Sequence, residues 1–229
     1  MLSGDIRQVV IITGGAGGLG RELVASLCQN FQVVIFDISP DLHSVAKKFD
    51  CLGFHCDITS PKQIQIAVDG VLKKFSRIDI LINSAGLYLD GELTKNDPEI
   101  IKKTFEVNTL GSIYLCREVT PHFKKQKSGQ IININSQAGL RPRALCSVYH
   151  ASKYALNGFS ESLALELEPF GIKVNQIFPD IINTGFAKKG HLKRDFSRSL
   201  DPSAVVSAVR YLLTLPPHTT IPSLSMRYN

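Results

Sequence analysis

The sequence predicts an α/β fold, a doubly wound sheet of about seven parallel strands flanked by helices. Short runs rich in β-branched residues alternate with longer segments of helical periodicity along the 229 residues, which is the pattern of βαβ units. No internal repeat, low-complexity tract or linker-like stretch interrupts the alternation. Because α/β domains commonly reach ~200–250 residues without splitting, we expect residues 1–229 to form one domain.

Seven apolar runs are the strand candidates. They are residues 8–12, 32–36, 51–55, 79–82, 130–134, 172–178 and about 223–227. Three of the intervening helices are predicted to begin at a capping residue that a proline follows directly, at Ser39, Ser60 and Asp201. Gln63 stands three residues after Ser60, as in a capping box.

Composition and charge exclude several classes of protein. The chain is 44% hydrophobic and 20% charged, which is typical of a globular protein with a sizeable core. Its longest apolar stretches are far shorter than the ~20 residues of a membrane span, and its amino terminus lacks the features of a signal peptide, so we expect a cytoplasmic protein. The formal charge of +6 is mostly dispersed and no nucleic-acid motif appears. Five scattered cysteines without a CxxC pair do not predict a metal site.

A glycine-rich turn follows the first predicted strand, in "TGGAGGLGREL" at residues 13–23. Gly14, Gly18 and Gly20 would make a tight turn, let the backbone approach a pyrophosphate, and let the next helix point its N–H groups at the phosphates. The second strand ends in Asp37, whose carboxylate can accept hydrogen bonds from an adenosine ribose and would repel a 2′-phosphate. The alternative is a purely structural turn and a surface aspartate.

A tyrosine and a lysine lie four positions apart in "SVYHASKYAL", residues 147–156. Positions i and i+4 share one face of a helix, so Tyr149 and Lys153 would stand side by side. Taken alone, such a pair is most often a pair of surface neighbours. His150 would point off the face that the pair shares, so we treat it as incidental.

Together these motifs resemble those of the short-chain dehydrogenase/reductase family, of the compact single-domain type, over nearly the whole chain. The family's TGxxxGxG is matched by Thr13, Gly14, Gly18 and Gly20. The resemblance implies a Rossmann-like fold and a catalytic set of Asn108, Ser136, Tyr149 and Lys153, with twelve residues between Ser136 and Tyr149. The cofactor-binding residues that it implies are Thr13, Gly14, Gly18, Leu19, Gly20, Asp37, Asp57, Ile58, Asn83, Ala85, Gly86, Tyr149, Lys153, Pro179, Ile182 and Thr184.

Two positions depart from the family pattern. Ser84 stands in "NSAG" where the family usually has a second asparagine. Asp180 in "FPDIINTGF" replaces a glycine, which puts the local backbone geometry in doubt because glycine tolerates conformations that aspartate adopts less easily. The carboxylate of Asp180 either lies near the nicotinamide, where it would favour the oxidised cofactor, or faces solvent.

The resemblance implies an NAD-dependent oxidoreductase acting on a secondary alcohol or ketone, with Tyr149 as acid/base. A tyrosine half ionised near pH 7 needs its pKa lowered by ~3 units, or roughly 4 kcal/mol, and Lys153 beside it could supply part of that. Ser136 would hold the substrate oxygen by a hydrogen bond. In the family, Asn108 retains a water that links the lysine to solvent. Asp37 favours NAD over NADP, so NADP is the less expected cofactor.

Other functions remain open. One alternative is a catalytically silent NAD-binding sensor or interaction protein on the same fold. A nucleotide-sugar epimerase would need a larger substrate-binding portion than the segment after Thr184 offers. Family habit suggests a homodimer or homotetramer, assembled through long helices at about 108–126 and 149–168.

The substrate is expected to be decided by the loop at about 180–200 and by "AGLRPRALCS". Residues 186–198 carry five basic side chains against one acid. As a lid over the site they would favour an anionic alcohol or carbonyl substrate, and the alternative is an ordinary solvated loop.

Overall fold

The computed structural model describes residues 7–186 and 197–229, and seven strands of these residues form one parallel sheet. The strands are β1 (Val9–Thr13), β2 (Gln32–Asp37), β3 (Leu52–His55), β4 (Ile80–Asn83), β5 (Gly129–Ile134), β6 (Ile172–Pro179) and β7 (Ser223–Met226). All pairings are parallel, in the order β3-β2-β1-β4-β5-β6-β7. This is the Rossmann-like, doubly wound sheet that the sequence predicts, and all seven predicted strands are confirmed.

Helices cover both faces of the sheet. They are α1 (Gly18–Leu27), α2 (Leu42–Lys48), α3 (Pro61–Phe75), α4 (Pro98–Phe105), α5 (Gly111–Gln126), α6 (Ser147–Leu167) and α7 (Pro202–Thr214). The alternation of side chains along β1 divides the core: Val9 and Ile11 pack in one apolar cluster with α3, α5 and α6, while Val10 and Ile12 pack in the other with α1, α2 and α7. A parallel sheet covered on both faces explains why its strands are continuous apolar runs.

Two of the three predicted helix starts are confirmed. The Ser60 hydroxyl accepts a hydrogen bond from the Gln63 backbone at 3.4 Å, and the Asp201 carboxylate accepts one from Ser203 at 2.8 Å. The start at Ser39 is wrong, because residues 40 and 41 form a turn and α2 begins only at Leu42, although the Ser39 hydroxyl does accept from the Asp41 backbone.

The capping box at Ser60 is only half formed. The Gln63 side chain does not return to the Ser60 backbone, because its Oε1 accepts instead from the Asp57 backbone N–H at 2.9 Å. Gln63 therefore ties the start of α3 to the segment that follows β3.

The strand order reverses between β1 and β4, with β2 and β3 on one side of β1 and β5 to β7 on the other side of β4. The crevice at such a reversal, beyond the carboxyl ends of the strands, is where open α/β sheets bind ligands. Within the described residues, no helix is both long and apolar enough to cross a membrane.

Candidate active site

A cavity of about 870 Å³ opens at the carboxyl ends of the strands, beside the reversal in strand order. Its lining comes from the glycine-rich turn after β1 and from the segments that follow β2 to β6. The volume lies within the ~300–1,000 Å³ that is usual for ligand pockets. The site predicted from the motifs therefore coincides with a real concavity.

The glycine-rich turn has a geometry that side chains would disrupt. Gly14 adopts a φ of +68°, in the left-handed region that favours glycine. A Cβ on Gly20 would lie 2.1 Å from the carbonyl oxygen of Gly14, so the first turn of α1 can pack here only without a side chain. Gly17, the residue before α1, supplies no side-chain cap, and it lines the cavity together with Gly18 and Leu19. The uncapped N–H groups at this helix start suit a pyrophosphate.

Two predicted cofactor residues lie beneath the cavity rather than on its wall. Thr13 is 1% exposed, and its hydroxyl accepts hydrogen bonds from the backbone of Ser84 and of Ala85, each at 3.0 Å. The Asn83 amide donates to Asn133 on the neighbouring strand at 2.8 Å. Neither side chain is part of the lining. Thr13 ties β1 to the segment after β4, and Asn83 ties β4 to β5, so any effect of these side chains on a cofactor is indirect.

Asp37 is fixed at the rim of the cavity by backbone donors. Its Oδ2 accepts from Ala16 and its Oδ1 from Ser39, both at 2.8 Å. The nearby guanidinium of Arg21 donates to the Ala16 carbonyl at 2.7 Å and lies 3.7 Å from the carboxylate of Asp41. Arg21 is outside the cavity lining, so Asp37 presents a carboxylate where a 2′-phosphate would need a cation.

Asp57 and Ile58 line the cavity beyond β3. The Asp57 carboxylate accepts from the backbone and the hydroxyl of Thr59, at 2.9 and 2.7 Å, and lies 3.8 Å from the Lys103 ammonium. Burial raises the pKa of Asp57, but these hydrogen bonds and the charge of Lys103 outweigh it, so the pKa lies below its usual range. Ala85 and Gly86 also line the cavity and complete this wall.

Ser136 and Tyr149 meet on one wall of the cavity. Ser136 follows β5 and its hydroxyl accepts from the Ala138 backbone at 3.1 Å, which leaves its own hydrogen free to donate. Tyr149, on the first turn of α6, is 7% exposed. Burial raises the pKa of Tyr149 to about 12, the hydrogen bond with Ser136 acts in the lowering direction, and Cys146 acts in the raising direction.

Lys153 lies one helical turn after Tyr149 and is buried. Its Nζ donates to the carbonyl oxygen of Ile134 at 3.1 Å, and burial lowers its pKa to about 8. In the structure the pKa of Tyr149 is thus raised rather than lowered, and Lys153 is not among the groups that shift it. The reason is that removing both groups from water disfavours the charged phenolate and the charged ammonium alike.

Asn108 lies in a five-residue π-helix, Glu106–Leu110, between α4 and α5. Its amide donates to the Leu87 carbonyl at 2.8 Å and to the Ser152 hydroxyl at 3.0 Å, and its oxygen accepts from the Leu87 backbone at 2.7 Å. With both amide hydrogens engaged, the side chain ties the β4 loop to α6. The side chain therefore has no hydrogen left to donate to a relay water.

Pro179, Ile182 and Thr184 line the cavity after β6. Thr184 also faces the glycine turn, since a Cβ on Gly18 would lie 3.8 Å from its own Cβ. The predicted substrate loop is closed at its base, because Asn183 donates to the Leu200 carbonyl at 2.8 Å. Most of the basic stretch falls in residues 187–196, which lie outside the described residues.

Asp180 causes no backbone strain in place of the family glycine, because its φ is not in the left-handed region. Its Oδ1 accepts from the next backbone N–H, that of Ile181, at 2.9 Å. The side chain is half-buried and lines the cavity. The structure thus favours a carboxylate beside the site over one that faces only solvent.

An aromatic wall beside Tyr149 was missed in the sequence. The ring of Tyr88 stands edge-on to that of Tyr149 with centroids 5.0 Å apart, and Phe186 lies 6.5 Å from Tyr149 and 6.1 Å from Tyr88. Their positions, two residues after "NSAG" and two after Thr184, were the available signal. These rings form an apolar surface next to the reactive hydroxyl.

His150 is not incidental, and the prediction that it points away from the site is wrong. It lines the cavity, with its ring centroid 6.3 Å from that of Tyr149. The loop after Ser136 folds over the start of α6 and brings the backbone of Arg141 and Ala138 near the ring, whose Nδ1 has no hydrogen-bond partner among the described residues. Burial, the largest influence, lowers the pKa of His150.

Three arginines also line the cavity: Arg141, Arg143 and Arg227. All three are exposed, and none takes part in an ion pair formed within the described residues. Among those same residues, no group of three or more histidine, cysteine or acidic side chains could hold a metal ion.

Comparisons with known proteins agree with this geometry. A family model described as short chain dehydrogenase matches residues 8–195. An uncharacterized oxidoreductase of Staphylococcus saprophyticus is 30% identical over 228 residues, covering 96% of this chain and 97% of that protein. The 3-ketoacyl-(acyl-carrier-protein) reductase from Brucella melitensis, solved with NADH, has a TM-score of 0.87 at 27% identity, covering 95% of this chain and 96% of its own. A serine dehydrogenase solved with NADP+ has a TM-score of 0.90 at 27% identity, covering 96% and 94%.

Proposed function

Since this chain belongs to the short-chain dehydrogenase family, we propose that it is an NAD-dependent oxidoreductase that interconverts a secondary alcohol and a ketone. One observation carries the proposal: Ser136 and Tyr149 share a cavity wall, Lys153 lies one turn further along α6, and the same cavity ends at the glycine-rich turn. A silent binding protein would have no need of this set beside its cofactor cradle, so we do not favour that alternative.

The cradle fits a nicotinamide dinucleotide. The uncapped start of α1 would face the pyrophosphate, Asp37 would accept from the adenosine ribose, and Asp57 with Ile58 would border the adenine. The Lys153 ammonium would contact the nicotinamide ribose, and Thr184 the carboxamide. When bound, the nicotinamide would supply or accept the hydride.

The proton chemistry belongs to this chain's own residues. Tyr149 holds its proton at neutral pH because burial raises its pKa to about 12, so it is ready to donate to the oxygen of a ketone. Ser136 can donate its free hydroxyl hydrogen to the same oxygen and stabilise the negative charge that develops there. In the oxidative direction Tyr149 must first lose its proton, and a charged Lys153 one helical turn away would favour the phenolate.

We propose NAD rather than NADP on the basis of Asp37 and of Arg21, which is held outside the lining. The solved relatives do not decide the matter, since one was solved with NADH and another with NADP+.

We further propose that the chain is a single cofactor-binding domain that assembles as a homodimer or homotetramer. The apolar side chains of Tyr154 and Leu165, exposed on α6, support assembly through that helix. A cytoplasmic location stays a prediction.

The test is a steady-state screen of ketones, sugars, acyl thioesters and steroids with both nicotinamide cofactors. We expect at least one ketone to oxidise NADH with the purified protein, and Tyr149→Phe to remove that activity. NADH binding without turnover of any compound, in parent and variant alike, would favour the silent binding protein instead.

A further inference from the structure

The cavity has a basic wall that the reaction chemistry does not use. We call it the arginine wall, and it consists of Arg141, Arg143 and Arg227. The other two lysine or arginine side chains of the lining have evident partners: Lys103 lies 3.8 Å from the Asp57 carboxylate, and Lys153 donates to the Ile134 carbonyl. Within residues 7–186 and 197–229, the three arginines form no ion pair.

The arginine wall belongs to the substrate end of the cavity. Arg141 and Arg143 lie in the loop between Ser136 and Tyr149. The charge of Arg143 opposes the burial that raises the pKa of Cys146 and adds to the burial that lowers the pKa of His150, so it lies near both residues. Arg227 follows Met226, whose carbonyl accepts from the Asp180 backbone at 2.9 Å. The glycine turn follows β1 and Asp37 ends β2, whereas the arginines follow β5 and β7. These arginines are therefore not placed to bind a cofactor phosphate at the glycine turn.

The loop that carries two of the arginines is held in place. The Arg141 backbone donates to the Gln137 carbonyl at 3.0 Å, and the Leu145 carbonyl accepts from Gly91 at 2.8 Å. The Cys146 thiol lies 3.5 Å from the Tyr88 hydroxyl. The loop is anchored at both ends and presents its cations beside the reactive tyrosine. Ligand binding therefore costs less conformational entropy than it would with a mobile loop.

Among the described residues that line the cavity, arginines outnumber carboxylates at the substrate end; the buried Asp90, whose charge also acts on Cys146, lies outside the lining. Three carboxylates line the cavity, but Asp37 and Asp57 lie at the adenosine end. The third, Asp180, has one oxygen engaged by the Ile181 backbone, and it shares the lining with the three arginines. Guanidinium groups bind carboxylates and phosphates with paired, charge-assisted hydrogen bonds.

We propose that the arginine wall binds an anionic group, a carboxylate or a phosphate, carried by the carbonyl substrate. The inference rests on the proposed function and narrows its substrate class to keto acids or phosphorylated ketones. The aromatic wall of Tyr88 and Phe186 would contact the apolar part of such a substrate between its reacting carbon and its anion. Arg141 and Arg143 act here as specificity residues and take no part in proton transfer.

The first experiment compares matched substrates with the variant Arg141→Gln/Arg143→Gln. The pairs are levulinate with methyl levulinate for a carboxylate, and dihydroxyacetone phosphate with dihydroxyacetone for a phosphate. We expect the parent to prefer one anion over its neutral partner, and the variant to lose about tenfold or more in kcat/KM for that anion only. The control, Lys73→Gln/Lys74→Gln, removes two exposed charges from α3 outside the lining and should change neither value. Equal kcat/KM for the two members of both pairs, or an equal loss for both members, would overturn the proposal.

A second experiment does not depend on turnover. Butanoate and methyl phosphate, which cannot be reduced, are titrated calorimetrically into the NADH-saturated protein. The parent should bind at least one of them, and Arg141→Gln/Arg143→Gln should bind it about tenfold more weakly than the Lys73→Gln/Lys74→Gln control does. Binding without any turnover would contradict the proposed function alone, while turnover of neutral ketones without anion binding would contradict the arginine wall alone.

Discussion

Lys153 follows Tyr149 by one turn of α6, yet its ammonium donates to the backbone carbonyl of Ile134, 3.1 Å away, at the end of the neighbouring strand β5. The lysine is thus anchored to the sheet one helical turn from the phenol. Burial lowers the pKa of Lys153 to about 8 and raises that of Tyr149 to about 12. Both shifts are toward the uncharged form, although Lys153 is still mostly charged at pH 7. The following predictions start from this pair and from the carboxylates that share its cavity.

Tyr149→Phe should abolish turnover and leave NADH binding nearly unchanged. The ring's edge-on contact with Tyr88 survives the change, and only the proton donor is lost. General acid catalysis is typically worth 10²–10⁴-fold, so kcat should fall by about that factor. Stopped-flow kinetics and NADH titration measure the two effects. A kcat within a few-fold of the parent would refute the role of Tyr149.

The two directions of the reaction should respond differently to pH. Reduction uses protonated Tyr149, which is the dominant form well below a pKa of about 12, so its kcat/KM should be flat between about pH 6 and 8. Oxidation needs the phenolate, and its kcat/KM should rise with pH across the same range and beyond. Profiles of both directions with one substrate pair provide the check. An oxidation rate that falls above pH 7 would contradict the assignment.

Lys153→Met should stabilise the protein at neutral pH while it destroys activity. The folded-state pKa of about 8 lies below the ordinary 10.5, so the unfolded chain binds more protons between these values and the parent gains stability as pH rises through them. Below pH 8 the buried charge costs on the order of 3 kcal/mol. Urea unfolding should therefore show the variant to be more stable at pH 7, with the difference shrinking toward pH 10.5. A gain that does not depend on pH would point to packing alone.

Asp37→Asn should weaken the preference for NADH over NADPH. The amide oxygen can still accept one of the two backbone N–H groups that now bind the carboxylate, but the charge that repels a 2′-phosphate is gone. We expect the parent to favour NADH in kcat/KM and the variant to reduce that ratio by about tenfold. Asp41→Asn, nearby and exposed, is the matched control. A parent that prefers NADPH would show the inference from Asp37 to be wrong.

Asp180→Asn should weaken binding of NAD+ relative to NADH. The carboxylate lines the cavity, and the nicotinamide ring is positively charged only in the oxidised cofactor. The Asn side chain keeps an oxygen for the Ile181 backbone, so the loop should hold its shape. We expect the ratio of the two dissociation constants to change by a few-fold, and Asp180→Gly to behave alike. An unchanged ratio in both variants would place the carboxylate in solvent.

Much of the fold was predictable because its signals are local. Each strand is a short apolar run that needs no partner to be recognised, and the prolines after Ser60 and Asp201 mark helix starts through their own backbone geometry. The start at Ser39 failed because the chain makes a turn at residues 40–41 before α2 begins, and that extra turn leaves no mark in the sequence.

The candidate site was predictable only in part. The motifs named the glycine turn, Ser136, Tyr149 and Lys153, which all line the cavity, but they could not show that Thr13 and Asn83 lie beneath it. A side chain at the end of a strand can point into the cavity or lie beneath it. Thr13 and Asn83 lie beneath it because Thr13 accepts a hydrogen bond from Ala85 and Asn83 donates one to Asn133.

The sequence by itself determined three things: the order of the helices and strands, the tight turn whose geometry requires glycine, and the reactive pair on α6. The tertiary structure alone decided the electrostatics of the site. Burial shifts the pKa values of Tyr149 and Lys153, and the folding of distant segments brings Arg141 and Arg227 to one wall. Solvation and charge depend on every atom within several ångströms, and those atoms come from segments far apart in the chain.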